Sequence, residues 1–229
     1  PSRLVGSEMC IRDSIYGEAT TAVTGLGDET VTCDDATITI ANANSLTGFT
    51  TGVVTATIAK DAIADLLKQD GTGLVSSSNK YSISLSDTSI TASDLKTLDS
   101  MTTGTITASD VTSITGALGD VEAIYKSNVD GGITGLNNET VTITDTGTVS
   151  ASAIKYVNSN TSGAITLNKA TTITGTVADV KAAYAAYAAG EVLGLGNEAI
   201  TIVDLGTTIT TAVLTELKGL TTGAVTVSL

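Results

Sequence analysis

The sequence contains no histidine and no tryptophan, and only one proline, one phenylalanine, two cysteines and two methionines among 229 residues. Without histidine, the commonest general base and the commonest transition-metal ligand are both missing. Two cysteines, Cys10 and Cys33, allow neither a CxxC zinc site nor a disulfide framework. Cations are scarce too: 11 Lys and Arg stand against 24 Asp and Glu, for a net charge of −13. Such a field repels nucleic acid and anionic membrane surfaces. No apolar run approaches the roughly 18 residues that mark a membrane span; the best candidate, AAYAAYAAG ahead of Glu191, is far shorter. No secretory signal pattern is present. Neither nucleic-acid binding nor membrane insertion is expected.

What the chain does have is aliphatic and hydroxylic. Hydrophobic residues make up 41% of it, with almost no aromatic share, so the apolar content is Ala, Val, Ile and Leu. That is too apolar for a disordered chain. Threonine alone supplies roughly a fifth of the residues, far above its ordinary usage, and β-branched side chains favour strands.

Self-similarity is the strongest signal. TGLGDETVTCDD from Thr24, TGLNNETVTITD from Thr134 and LGLGNEAITIVD from Leu193 are versions of one motif. A second marker, FTTGVVT, MTTGTIT, NTSGAIT and LTTGAVT, places its glycine at Gly52, Gly104, Gly163 and Gly223. Aligning on those glycines yields apolar columns at Ile38, Ile90, Val149 and Ile209, at Leu46, Leu98, Val157 and Leu217, and at Val54, Ile106, Ile165 and Val225. These are candidate core positions. Hydroxylic residues flank the first column, with Thr37, Ser89, Thr148 and Thr208 before it and Thr39, Thr91, Ser150 and Thr210 after. Threonine follows the third column at Thr55, Thr107, Thr166 and Thr226. Alternation along strands predicts one aliphatic face and one hydroxyl-bearing face.

DLKTLDS, AIKYVNS, VLTELKG, DVEAIYK and DVKAAYAAYAA read as helices from their apolar spacing and propensity. Thr91 with Asp94, Thr107 with Asp110 and Thr176 with Asp179 resemble N-caps with an acidic residue in the first turn. The expected architecture is mainly β with short helices: an elongated repeat solenoid, about two coils per 60-residue unit, in which stacked neighbours share a core. A flat sheet of modules or a string of small β domains is the alternative. The array covers 14–229, in units of approximately 14–72, 73–133, 134–192 and a truncated 193–229. The leading PSRLVGSEMCIRD, which holds both arginines, Arg3 and Arg12, fits no column and resembles a translated adapter, so 1–13 is expected to be a non-native leader and the chain a fragment cut at both ends.

No residue is assigned a catalytic, cofactor-binding or metal-ligating role. Asp34 or Asp35, Asp87, Asp145 and Asp204 recur after a strand and could suggest calcium, but one or two carboxylates per loop are too few for a hard cation; the expectation is that Asp makes its own turn. The glycines of GLGDE, GLNNE and GLGNE lack the spacing of a phosphate loop and are expected to supply positive φ. Glu29, Glu139 and Glu198 repeat, whereas a catalytic carboxylate pair would be singular. Cys33 stands in register with Ile143 and Ile202, so it reads as a small core residue. Tyr16, Tyr125 and Tyr184 share a position at helix ends and read as packing residues with a polar tip.

Units such as TASDLKTLDSMTTGTITASDVTSITG, followed by ADVxAAY and GLGNEAITI, resemble the β-strand repeats of very large secreted or cell-surface, adhesin-like proteins of marine bacteria, cyanobacteria in particular. The resemblance implies an extracellular or cell-surface, structural or adhesive array without catalysis, whose partners are neighbouring repeats of the same chain and cell-surface or extracellular-matrix ligands. The alternative is a threonine-array ligand binder, for ice or for glycan, on the same scaffold.

Overall fold

A computed structural model describes residues 27–75, 78–167, 169–204 and 209–228. The leader, Tyr16, Thr24 and Thr208 lie outside the described residues. The chain begins with β1 (Val31–Thr32), α1 (Ile40–Phe49), β2 (Val54–Thr57), α2 (Ile63–Leu66), β3 (Lys80–Ser84) and β4 (Ser89–Thr91). It continues with α3 (Ala92–Ser100), β5 (Ile106–Thr107), β6 (Ser113–Gly116), α4 (Leu118–Asp130), β7 (Ile133–Thr134), β8 (Thr140–Ile143) and β9 (Thr148–Ser150). It closes with α5 (Ala151–Asn158), β10 (Ile165–Thr166), β11 (Thr172–Gly175), α6 (Val177–Ala189), β12 (Val192–Leu193), β13 (Ala199–Ile202), α7 (Thr211–Lys218) and β14 (Val225–Val227).

The strands form three sheets, in the orders β1-β2-β3-β5-β7, β12-β10-β8-β6-β4 and β14-β13-β11-β9, and every strand pairing is parallel. Parallel neighbours cannot be joined by a tight hairpin. Helices serve as many of the connections, because sequence favours them there: α6 is built from alanine, starts on Thr176 and stops at Gly190, whose φ of 79° is the left-handed C-cap glycine tolerates. The chain divides into two compact units, Pro1–Asp87 with Asp94–Asp110 and Ser127–Gly135, and Thr88–Ser93 with Val111–Lys126 and Leu136–Leu229. The first sheet lies in the first unit; the second and third lie in the other.

The fold is therefore α/β, which corrects the expectation of a mainly β, elongated repeat solenoid. No strand among the described residues exceeds five residues, whereas α4 and α6 have 13 each. The columns explain the error. A repeat solenoid would stack equivalent residues of successive units in one sheet, but Val54 and Ile106 belong to the first sheet, Ile165 to the second and Val225 to the third. Pairing joins unlike positions instead: Ile106 neighbours Ile83 and Ile133, and Ile165 neighbours Val141 and Val192.

The columns do mark the core. Leu46, Leu98, Val157 and Leu217 are all buried, as are Ile38, Ile90, Val149, Val54, Ile106 and Ile165, while Ile209 and Val225 are half-buried. Cys33 is buried with them and is not a free thiol.

Candidate functional site

The recurring carboxylates are the natural place to look for chemistry, and two of the repeated glutamates are held inside the protein while Glu29 is half-buried. Glu139 is 0% and Glu198 2% exposed. Each follows a turn of positive-φ glycines, Gly135 at 93° before Glu139, and Gly194 at 86° and Gly196 at 121° before Glu198, as expected for these glycines. The turn aims backbone N–H groups at the carboxylate: Asn137 N donates to Glu139 Oε1 at 2.9 Å and Gly196 N to Glu198 Oε2 at 2.8 Å. In the first unit Gly27 N donates to Glu29 Oε2 at 2.8 Å.

The repeated tyrosines complete the arrangement. Tyr125 Oη donates to Glu139 Oε2 at 2.8 Å, and Tyr184 Oη to Glu198 Oε2 at 3.2 Å. Both rings are buried, and burial pushes both phenols well above the ordinary tyrosine value. The phenols therefore remain neutral donors. A buried charge that accepts a backbone and a phenolic hydrogen bond is compensated at its own position. Sequence reasoning placed these tyrosines in the packing but did not pair them with the glutamates 14 residues later.

The TTG and TSG markers lock onto the same glutamates. Thr161 Oγ1 donates to the Glu139 carbonyl at 2.9 Å and accepts from Gly163 N at 3.1 Å. Thr221 does the same with the Glu198 carbonyl and Gly223 N, at 2.6 and 2.9 Å, and Thr50 with the Glu29 carbonyl and Gly52 N, at 2.6 and 3.0 Å. In the remaining copy Tyr81 stands where the others have Glu, and Thr102 Oγ1 donates to its carbonyl at 2.9 Å. The marker glycines are required by close approach: a Cβ on Gly163 would lie 2.1 Å from the Glu139 carbonyl oxygen.

Three of the recurring aspartates reach beyond their own loops, to the start of a distant helix. Asp87 Oδ2 accepts from Ile63 N, Asp145 Oδ2 from Leu118 N and Asp204 Oδ2 from Val177 N, at 2.8, 2.7 and 2.8 Å. Those N–H groups open α2, α4 and α6, so each aspartate caps a helix 24 to 27 residues earlier in the chain. Asp34 is exposed and Asp35 half-buried. Among the described residues, no three of His, Cys, Asp or Glu converge as metal ligands would.

The hydroxyl column expected on an outer face also has a structural task. Thr39, Ser150 and Thr210 are the N-caps of α1, α5 and α7, their oxygens accepting from Asn42, Ala153 and Val213 N–H; Thr91 is the strand residue just before α3. Of the caps expected with an acidic partner, Thr176 is one: its Oγ1 accepts from Asp179 N at 3.1 Å and donates to Asp179 Oδ2 at 2.9 Å. Lys155, together with Thr176, holds Asp179 below the usual carboxylate range. Thr107 is not a cap, because no helix follows β5.

In the cleft lined by Thr176, Val177, Lys181, Asp204, Ile209 and Val213, Asp204 caps α6 and Lys181 Nζ pairs with Glu216 at 2.6 Å. No family model, curated protein or solved structure matches this chain.

Proposed function

We propose that the chain is a structural, non-catalytic repeat segment of a large extracellular or cell-surface protein of the adhesin-like kind, acting through neighbouring repeats and through broad contact with surface ligands. The observation that carries this reading is where the repeated polar groups point. Glu139 with Tyr125, Glu198 with Tyr184, and the capping aspartates Asp87, Asp145 and Asp204 are all bonded to their own chain. Among the described residues, no buried side-chain nitrogen or oxygen lacks a hydrogen-bond partner. An active site holds groups back for a substrate; these groups are committed to the fold. The absence of histidine and the strong negative charge support the same reading, and adhesion by such an array would rest on avidity.

The test is an attachment assay under flow, with the 229-residue chain displayed on a cell that otherwise does not adhere, run beside a turnover screen of the purified chain on polysaccharide, ester and peptide substrates. Attachment without turnover is the expected outcome. Turnover that disappears in the Glu139→Gln, Glu198→Gln double variant would overturn the reading.

A further inference from the structure

Three copies of the repeat are covered by the segment that follows them, and the fourth is not. In each of the first three, the first-column residue pairs with an isoleucine of the next segment: Ile38 with Ile58, Ile90 with Ile114 and Val149 with Ile173. All three first-column residues are buried. Their counterpart Ile209 is half-buried and lies in no strand. The strand after the marker glycine follows the same pattern. β5 pairs with β7, Ile106 N donating to the Gly132 carbonyl and Ala108 N to that of Thr134, each at 2.8 Å. β10 pairs with β12, Ile165 N donating to the Glu191 carbonyl and Leu167 N to that of Leu193, at 2.8 and 2.9 Å. The donors at these positions in β14 are Val225 N and Val227 N, and β14 is the end strand of its sheet.

The helices agree. Leu95 and Ile154 share a column and are both 0% exposed, and α6 packs along α5, with Lys155 Nζ paired to Asp179 Oδ1 at 3.0 Å. Leu214, in the same column, is half-buried, and in α7 Leu217 alone is buried. In the third copy one continuous stretch supplies all three partners: β11 pairs with β9, α6 packs on α5, and β12 closes the edge of β10. A terminal repeat that faces water carries a polar cap, and a protected sheet edge is blunted by charge or proline. The edge at β14 reads Val225, Thr226, Val227, with neither. Such an edge accepts strand addition.

We propose that the face formed by Ile209, Leu214 and β14 docks one further strand–helix–strand segment of this repeat, equivalent in chemistry to residues 170–193. An isoleucine-centred strand lies beside Ile209, an alanine-rich helix on Leu214 and an aliphatic strand along β14. The source is the succeeding repeat of the array, because Ile58, Ile114 and Ile173 each belong to the segment that follows its partner directly in sequence. The inference rests on the reading of the chain as a stretch of a repeat array, and it names the partner that such a stretch takes.

The experiment appends a duplicate of residues 170–193 after Leu229, which the 60-residue spacing of Gly163 and Gly223 puts in register with Lys169. Amide hydrogen exchange, thermal melting and sedimentation velocity are measured for the full 229-residue chain and for the extended one. Two further extended chains serve as controls, one with the duplicate in scrambled order and one with its isoleucine replaced by lysine. The expected result is a monomeric extended chain that melts higher than the parent and exchanges the Val225 and Val227 amides at least about tenfold more slowly, with neither effect in the controls. The proposal is overturned if these two amides exchange alike in the parent and the extended chain, if either control slows them as much, or if the parent already protects them in a dimer whose second copy takes the face. Exchange at these amides reads docking alone, whereas attachment and turnover are measured separately, so a failure of this inference is told apart from a failure of the structural reading.

Discussion

At the scale of single residues, the recurring chemistry of the repeat marker comes down to one threonine hydroxyl and one missing Cβ. Buried Thr161 satisfies two backbone groups, the Glu139 carbonyl and the Gly163 N–H. Thr161→Val keeps the shape and strands both, and is expected to cost about 1–3 kcal/mol in denaturant unfolding. Glycines separate by the same logic. Alanine at Gly163 would force its Cβ against the Glu139 carbonyl, with a loss of at least about 2 kcal/mol expected from overpacking alone. Alanine at Gly147 meets nothing within 4 Å, and since Gly147 is not among the positive-φ glycines, it should be neutral or stabilising by about 0.4–1 kcal/mol through the unfolded chain. Thermal melts of the two variants check the distinction: the Gly163→Ala melt falls and the Gly147→Ala melt holds or rises.

At the scale of elements, each long helix depends on a side chain supplied by a later strand-to-loop junction. Asp145→Ala removes the acceptor for Leu118 N at the start of α4, with an expected cost of about 0.5–2 kcal/mol, and Asp145→Asn should recover most of it. Amide hydrogen exchange at the first turn of α4 reads the effect locally, and unchanged protection there would show that the cap contributes nothing. The existence of these helices was legible in the sequence, because DVEAIYK and DVKAAYAAYAA carry their own propensity and spacing. The caps were not, since a reading of Asp145 within its own loop cannot see Leu118. The core columns were legible for a similar reason: burial at Leu98 or Val157 demands an apolar side chain in every copy. Their placement in sheets was not. Sequence likeness identifies equivalent residues such as Ile106 and Ile165, whereas parallel pairing joined each of them to a different neighbour, and so a solenoid was expected where an α/β fold stands. The glutamate environment was legible only in part. Repetition argued for a structural Glu139, but nothing in the spacing pointed to Tyr125 as its donor.

At the scale of the whole molecule, the buried tyrosines couple stability to alkaline pH. Burial pushes Tyr81 up to about 12 and moves Tyr125 and Tyr184 further in the same direction, from an ordinary value of 10.0. A phenol whose folded value is raised favours the folded state fully below the unfolded value and loses that contribution as pH rises through the folded one. The melting temperature should therefore be insensitive to these groups below about pH 10 and fall steeply from about pH 10 to 12. The share of tyrosinate absorbance that belongs to Tyr81, Tyr125 and Tyr184 should lag until unfolding; its appearance in the folded protein near pH 10 would contradict the burial argument.

The central claim is that the repeated carboxylates hold the fold, and unfolding of Glu139→Ala in denaturant tests it most directly. The variant leaves Tyr125 Oη and Asn137 N–H buried without their acceptor, so a loss of about 2–5 kcal/mol is expected relative to the parent. Residues kept for function at the expense of the fold behave in the opposite way, and removing them leaves stability unchanged or raises it. Unchanged or increased stability in Glu139→Ala would contradict the account.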